Sequence, residues 1–405
     1  MEKNRSIVHM DLDTFFVSCE RLLDSRLNGK PILIGGTSDR GVVAACSYEA
    51  RKFGVHSAMP MKMARERCPE AIIIKGNSAT YMKYSGMVTD IIKEDSPVYE
   101  KASVDEFYID LSGMDKFYGC YKYAGELRQR IMRETGLPIS FGLSQNKTVS
   151  KIATGEAKPN NQIQIDYGEE KPFLGPLSVR KIPMVGLKTY QNLRNLGIQK
   201  IQTIQDMPIE MMESAFGKNG KGIWKKAQGI DNNPVIQYNE RKSISTERTF
   251  DHDTIDVAKL KGILAAMAEN LAFQLRRGKK VSACITVKVR YSDFQTKTLQ
   301  KRIPYTSADH DLIPLVSELF DRVYNRRLLV RLIGVRYSDL VNGHHQMSLF
   351  DDKIEYVKLY QAMDKIRLRF GDRAVLRAIG IEARTIGRWN PFSGEPPPLL
   401  ANRRS

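Results

Sequence analysis

The chain has 405 residues, 42% hydrophobic and 27% charged, and its 63 Lys and Arg against 46 Asp and Glu give a formal net charge of +17. That length allows two to four domains at about 150 residues each, the composition excludes a disordered chain, and no apolar run nears the roughly 18 residues of a membrane span. The five cysteines (Cys19, Cys46, Cys68, Cys120, Cys284) are scattered and never form a C-x-x-C pair, which argues against a disulfide framework or a zinc site and fits a reduced, cytoplasmic protein.

Met1–Arg5 carry no signal-peptide core and run into Ser6–Leu12, a buried strand ending in acids. Pro31–Ile34 reads as another strand, and Val98–Asp110 as two strands joined near Val104-Asp105. A helix from about Tyr121 to Thr135 stops at Gly136, and the strand Pro138–Gly142 follows. This order predicts an α+β sheet with helices on one face. From 169 to 232 strand signals fade into short helices divided by Gly and Pro, and Asn232-Asn233-Pro234 opens a polar linker that runs to Lys242. Beyond it, Val281, Ala283, Ile285, Val287 and Val289 alternate with Ser282, Cys284, Thr286, Lys288 and Arg290, a strand with one core face and one partly basic face. Helices at 256–277 and 311–328 complete a β-α-β-β-α-β unit. A last helix is expected where Tyr356, Leu359, Tyr360, Met363, Ile366 and Phe370 fall at helical spacing, and Pro396–Ser405 reads as a disordered tail.

Charge is uneven along this order. Residues 1–168 carry 23 basic against 21 acidic side chains, and residues 241–340 carry 19 against 11. One reading is an acidic reaction centre joined to a basic grip on a polyanion; the other is ordinary solvated surface.

Asp11, Asp105 and Glu106 form the leading constellation. Asp11 closes one strand and the Asp105-Glu106 pair lies at a strand turn, so a sheet that pairs these strands gathers three carboxylates. Like charges that close require cations between them. Hard oxygen donors favour magnesium, and two such ions suit phosphoryl or nucleotidyl transfer. Asp13 has a plainer expectation, as cap of the helix that follows. Tyr48 and Arg51 stand three apart and share a face if helical, offering a phenol and a guanidinium fork for phosphate. Lys158 sits where a loop leaves the sheet, and Phe15-Phe16 lie one turn beyond the first acid. Singly, these also read as a salt-bridged surface helix, a solvated lysine and two core aromatics.

Taken together, Met10-Asp11-Leu12-Asp13-Thr14-Phe15-Phe16, Tyr48-Glu49-Ala50-Arg51-Lys52-Phe53-Gly54-Val55, Ser103-Val104-Asp105-Glu106 and Ala157-Lys158-Pro159-Asn160 are similar, in order and spacing, to the motifs of Y-family DNA polymerases, most of all the bacterial DNA polymerase IV type. The resemblance covers about 1–340. It implies a right-hand architecture: a ferredoxin-like palm (1–16 and 80–168), small fingers (17–79), a helical thumb with a helix–hairpin–helix (169–232), a linker (233–242) and a basic little finger (243–340). It implies that Asp11, Asp105, Glu106 and the Leu12 carbonyl hold two magnesium ions, and that Tyr48, Arg51 and Lys158 contact the triphosphate. Phe15 and Phe16 line the nucleotide, Phe16 being the bulky residue that excludes a ribose 2′-hydroxyl. Ala45 stands where many relatives have a threonine near the triphosphate, so no contact is assigned there.

The segment Ile182–Lys188 resembles the helix–hairpin–helix turn, in which backbone N–H groups at Val185 and Gly186 and the helix start at Lys188 hold a DNA phosphate. Met184 replaces a frequent glycine there, and an ordinary inter-helix turn is the alternative. Thr286, Lys288 and Arg290 would follow the duplex backbone. Gln346, Leu349 and Phe350, within Gln346–Phe350, resemble the bacterial sliding-clamp motif, with a staple against the next helix as the alternative. Residues 341–405 then comprise this segment, a helical extension and the tail. The implied activity is template-directed, low-fidelity synthesis past damaged bases by a monomer, with primer-template DNA and dNTPs as partners. Two rivals remain at this point: a nucleotide cyclase on a similar palm, and a non-catalytic DNA-binding scaffold.

Overall fold

The structure, a computed structural model, describes residues 5–114, 119–237, 240–343, 354–371, 374–381 and 383. The described chain forms two compact units, one ending at Asn239 and one beginning at Glu240.

In the first unit β1 (Ile7–Leu12) leads into α1 (Phe15–Leu23), then β2 (Ile32–Gly35), β3 (Val43–Cys46), α2 (Tyr48–Arg51), α3 (Met61–Arg67) and β4 (Ile72–Ile74). Next come α4 (Ser78–Asp95), β5 (Val98–Lys101), β6 (Glu106–Asp110), α5 (Cys120–Thr135), β7 (Ile139–Ser144), α6 (Lys147–Ala157) and β8 (Gln162–Gln164). The main sheet has the order β5-β6-β1-β7-β8. β1 lies at its centre, antiparallel to β6 and β7, which explains why Ile7, Val8 and Met10 are fully buried and His9 with them. Gly136 ends α5 at φ 72, a left-handed conformation that an L side chain resists. The smaller sheet, β3-β2-β4, has its own apolar cluster of Leu33, Val43, Val55, Met59 and Met61. Four helices follow without a strand: α7 (Glu170–Leu174), α8 (Leu187–Asn195), α9 (Ile201–Gln205) and α10 (Ile209–Ala227). Their core, including Leu174, Leu193 and Ile204, extends to Val149 and Ile152 on α6.

The second unit runs β9 (Ser243–Thr254), α11 (Val257–Arg277), β10 (Lys280–Tyr291), β11 (Thr296–Thr306), α12 (Asp309–Val323), β12 (Val330–Asn342) and α13 (Ile354–Phe370). The first six make the expected β-α-β-β-α-β unit, an antiparallel sheet of order β11-β10-β12-β9. Leu264, Met267 and Leu271 of α11 and Leu319 and Phe320 of α12 pack on Ile285, Val287 and Val289.

Three local expectations need correction. The alternation in β10 fails at its start, because a register shift falls between Ser282 and Cys284. Ser282 and Cys284 are buried there and Ala283 is not; the Ser282 hydroxyl is satisfied by donating to the Ser338 carbonyl at 2.7 Å. The second helix ends at Val323 rather than 328, where Tyr324 leaves helical geometry at ψ 77. In α13 the apolar stripe does not face the core. Tyr356, Leu359, Ile366 and Phe370 are exposed, and of the stripe Tyr360 alone is buried, together with the charged Arg367. The Pro396–Ser405 tail lies outside the described residues.

Candidate active site

The acids meet through strand register. Asp11 on β1 is the antiparallel partner of Glu106 on β6, so their side chains leave the same face of the sheet. The Leu12 N–H donates to the Asp105 carbonyl at 3.0 Å, fixing the Asp105-Glu106 turn against the end of β1. Ser103 shapes that turn: its hydroxyl accepts from the N–H groups of Asp105 (3.2 Å) and Glu106 (3.0 Å) and donates to the Asp105 carboxylate. Ser103 stood inside the motif without a role assigned, although a serine two or three residues before the N–H groups it serves is a recognisable turn pattern.

Each carboxylate is turned onto its own donor. Lys158 Nζ lies 2.5 Å from Asp11 Oδ1 and 3.3 Å from the Leu12 carbonyl, Lys151 Nζ lies 2.6 Å from Glu106, and Ser103 holds Asp105. Burial pushes the Asp11 carboxyl up to about 7, against the pull of Lys158 and with help from Asp105 and Glu106. Burial also raises Asp105, opposed by the Ser103 hydrogen bond. Burial works against the charge of Lys158, but Asp11 and Asp13 outweigh it and hold the ammonium above the usual lysine range. No three His, Cys, Asp or Glu side chains among the described residues are gathered tightly enough in these rotamers to hold an ion. The donor chemistry nevertheless fits a hard divalent cation: three carboxylates and one carbonyl, with lysine ammonium groups already drawn to them.

Tyr48 and Arg51 occupy α2, capped by the Ser47 hydroxyl, and the Arg51 guanidinium lies 4.9 Å from the Tyr48 ring centre. The Tyr48 hydroxyl is buried without a hydrogen-bond partner. Burial raises its pKa, and the charges of Asp13, Lys158, Arg51 and Asp11 all act on it, so the phenol belongs to this cluster. Phe15 and Phe16 open α1, 3% and 4% exposed, and Phe16 stacks on Tyr81 of α4 at 4.3 Å between ring centres. The Tyr81 hydroxyl donates to Glu20 at 2.6 Å. Nothing in the sequence pattern singled out Tyr81, because its partner lies 65 positions away.

Asp13 is corrected: it does not cap α1, whose N-cap is Thr14 with no side-chain cap bond. The turn geometry leaves the Asp13 carboxylate pointing inward, where it accepts from Ser140 and from the Asn160 N–H.

The other contact expectations divide. Around Met184, 91% exposed at φ 76, the Val185 N–H donates to the Ile182 carbonyl and the Gly186 N–H to the Met184 carbonyl. Those two groups are therefore spent within the turn. The start of α8 at Leu187 and Lys188 keeps the first-turn N–H groups that a helix leaves without intrahelical acceptors. In the second unit Lys288 is paired with Glu247 at 2.9 Å, and Arg290 Nε donates to Thr296 at 2.8 Å, while Thr286 is half-buried. Gln346, Leu349 and Phe350 lie outside the described residues.

Comparison with known proteins decides the family. Residues 10–155 match the impB/mucB/samB family and residues 241–349 its C-terminal domain. A DNA polymerase IV of Dehalococcoides mccartyi is 38% identical over 92% of this chain and 96% of its own length. One of Treponema denticola is 35% identical over 90% and 93%. The chain belongs to the Y family of DNA polymerases. A solved Y-family polymerase chimera of Dbh and Dpo4 superposes with a TM-score of 0.74 at 27% identity, over 83% of this chain and 99% of that one. As a Y-family member the chain has the right-hand polymerase fold and is a metal-dependent DNA-directed DNA polymerase, a nucleotidyltransferase of translesion synthesis. A cyclase or an inert scaffold finds no support. Among the described residues, no helix is long and apolar enough to cross a membrane.

Proposed function

We propose that the Asp11–Asp105–Glu106 cluster is the catalytic centre for template-directed transfer of a deoxynucleotide from dNTP to a primer 3′-hydroxyl. The observation that carries this is the Asp11–Glu106 cross-strand pairing with Asp105 tied beside it. Asp11, Asp105, Glu106 and the Leu12 carbonyl would hold two magnesium ions, which when bound supply Lewis acidity to the α-phosphate and the departing pyrophosphate. Around them, Arg51 forks phosphate oxygens, the unpartnered Tyr48 hydroxyl donates to one, and Lys158, held beside Asp11, supplies a cation that exchanges Asp11 for phosphate. Phe16, braced by Tyr81, forms the floor of the sugar site.

In this reading residues 1–16 and 80–168 are the palm, 17–79 the fingers, 169–232 the thumb, 233–242 a linker and 243–340 the little finger. The start of α8 and the Thr286, Lys288 and Arg290 face meet the duplex backbone without reading sequence. The polymerase is a cytoplasmic monomer recruited to a sliding clamp through Gln346, Leu349 and Phe350, a tether that raises its effective concentration at the primer end. Replacing Leu349 and Phe350 with Ala should abolish clamp-stimulated processivity and spare clamp-free extension. Survival of the stimulation would contradict that part. The activity itself is tested by primer extension with each dNTP on undamaged and damaged templates, with and without magnesium. Nucleotide turnover independent of DNA would refute it.

A further inference from the structure

Lys158 belongs to a loop that is held far more tightly than a phosphate-binding lysine at a sheet exit requires. Asp13, 1% exposed, lies beneath it. Its two carboxylate oxygens accept from the Ser140 hydroxyl at 3.1 and 2.9 Å, one of them also accepts from the Asn160 N–H at 2.6 Å, and Lys158 Nζ is 3.4 Å away. From the opposite side Arg128 on α5, itself 8% exposed, donates to the Asn160 carbonyl (2.7 Å) and side-chain oxygen (2.6 Å) and to the Ile139 carbonyl (2.8 Å). The Ser140 hydroxyl in turn accepts from the Asn161 N–H at 3.3 Å. Three strands and helices therefore converge on residues 158–161: β1 through Asp13, β7 through Ser140 and α5 through Arg128.

We propose that Asp13 is a positioning residue for nucleotide binding, which with Ser140 and Arg128 clamps the 158–161 loop so that the Lys158 ammonium is presented to the triphosphate. With 1% exposure and both oxygens turned to Ser140, Asn160 and Lys158, Asp13 is assigned to the loop and not to the metal cluster. A preset lysine meets phosphate without ordering a flexible side chain and loop first, and that advantage is expressed in nucleotide affinity. The proposal rests on Lys158 being a triphosphate contact.

The test is a double-mutant cycle read in steady-state single-nucleotide insertion. Asp13→Asn keeps the shape and loses the charge. It should raise KM for dNTP roughly tenfold with kcat changed by less than about threefold, and leave the magnesium midpoint where it was. In a Lys158→Ala background the same change should add almost nothing, because the group it positions is gone. Ser140→Ala, which keeps the carboxylate and removes one partner, should show a smaller KM rise with the same non-additivity, and carries the test if Asp13→Asn does not fold. Additive penalties, an unchanged KM, or a shifted magnesium midpoint would each overturn the proposal. If Lys158→Ala itself leaves KM unchanged, the lysine's role falls and the proposal with it; if only the Asp13 and Ser140 variants are silent, the lysine's role stands and the proposal alone falls.

Discussion

Asp11 and Glu106 are direct cross-strand partners, and each carboxylate pairs with a lysine of its own, Asp11 with Lys158 and Glu106 with Lys151. Two acids placed opposite each other in a sheet repel, and the lysines neutralise them one by one.

Phe16 stacks on Tyr81, so under the proposed function sugar selection is a property of two rings. Phe16→Ala removes the steric floor and should raise ribonucleotide incorporation relative to deoxynucleotide by about 100-fold, a difference of about 3 kcal/mol in transition-state free energy. Tyr81→Ala, which lets the Phe16 ring tilt, should relax selection less, whereas Tyr81→Phe keeps the ring and should not. Competitive rNTP and dNTP insertion by each folded variant is the measurement. Unchanged selectivity in Phe16→Ala would mean the ring is core only.

Lys288 and Glu247 reach each other across β12 because Gly334 lies between them in register; a Cβ there would come within 2.7 Å of Glu247 Cγ. The pair removes one positive charge from the sheet face. Glu247→Gln should free Lys288, tighten duplex binding at low salt and steepen the slope of log K against log salt by about 1. Binding isotherms at several salt concentrations check this, and an identical slope would place Lys288 away from DNA.

His9 is buried on β1 with its Nδ1 2.9 Å from the Thr154 hydroxyl. That hydroxyl has carbonyl acceptors at His9 and Ser150, so Nδ1 is the donor, and Nε2 has no partner. Burial first, and Lys151 and Lys158 second, hold its pKa well below the usual 6.5. The unfolded chain therefore takes up a proton that the folded one refuses. The His9 contribution to stability is complete above about pH 6.5 and declines as pH falls below it. His9→Phe should show a shallower loss of Tm between pH 7.5 and 5 than the parent. Parallel curves would show that His9 titrates normally.

The acidic cluster and the elements around it were legible because they depend on short-range signals: acids at the ends of apolar strands, a Tyr-x-x-Arg turn of helix, and a glycine at a helix end. The alternation from Ile285 to Tyr291 was legible for the same reason. What stayed hidden depends on partners distant in sequence. The apolar spacing in α13 suggested a core stripe, but Glu269, Asp309 and Arg276 on other helices demand charged partners. The helix docks through Tyr360, Asp364 and Arg367, with Arg367 2.5 Å from Glu269 and Arg276 2.7 Å from Asp364. Both members of the Arg367–Glu269 pair are buried. Likewise the inward turn of Asp13 is decided by Ser140 and Asn160, more than a hundred residues away.

Under the proposed function Asp105 and Glu106 act on the reacting phosphate through metal and not on the duplex. Single-turnover insertion and primer-template affinity, measured side by side for Asp105→Asn and Glu106→Gln, test it most directly. The expected result is a loss of at least about 100-fold in insertion rate, with DNA affinity within about twofold of the parent. Near-normal insertion by either variant, or a parallel loss of DNA binding, would contradict it.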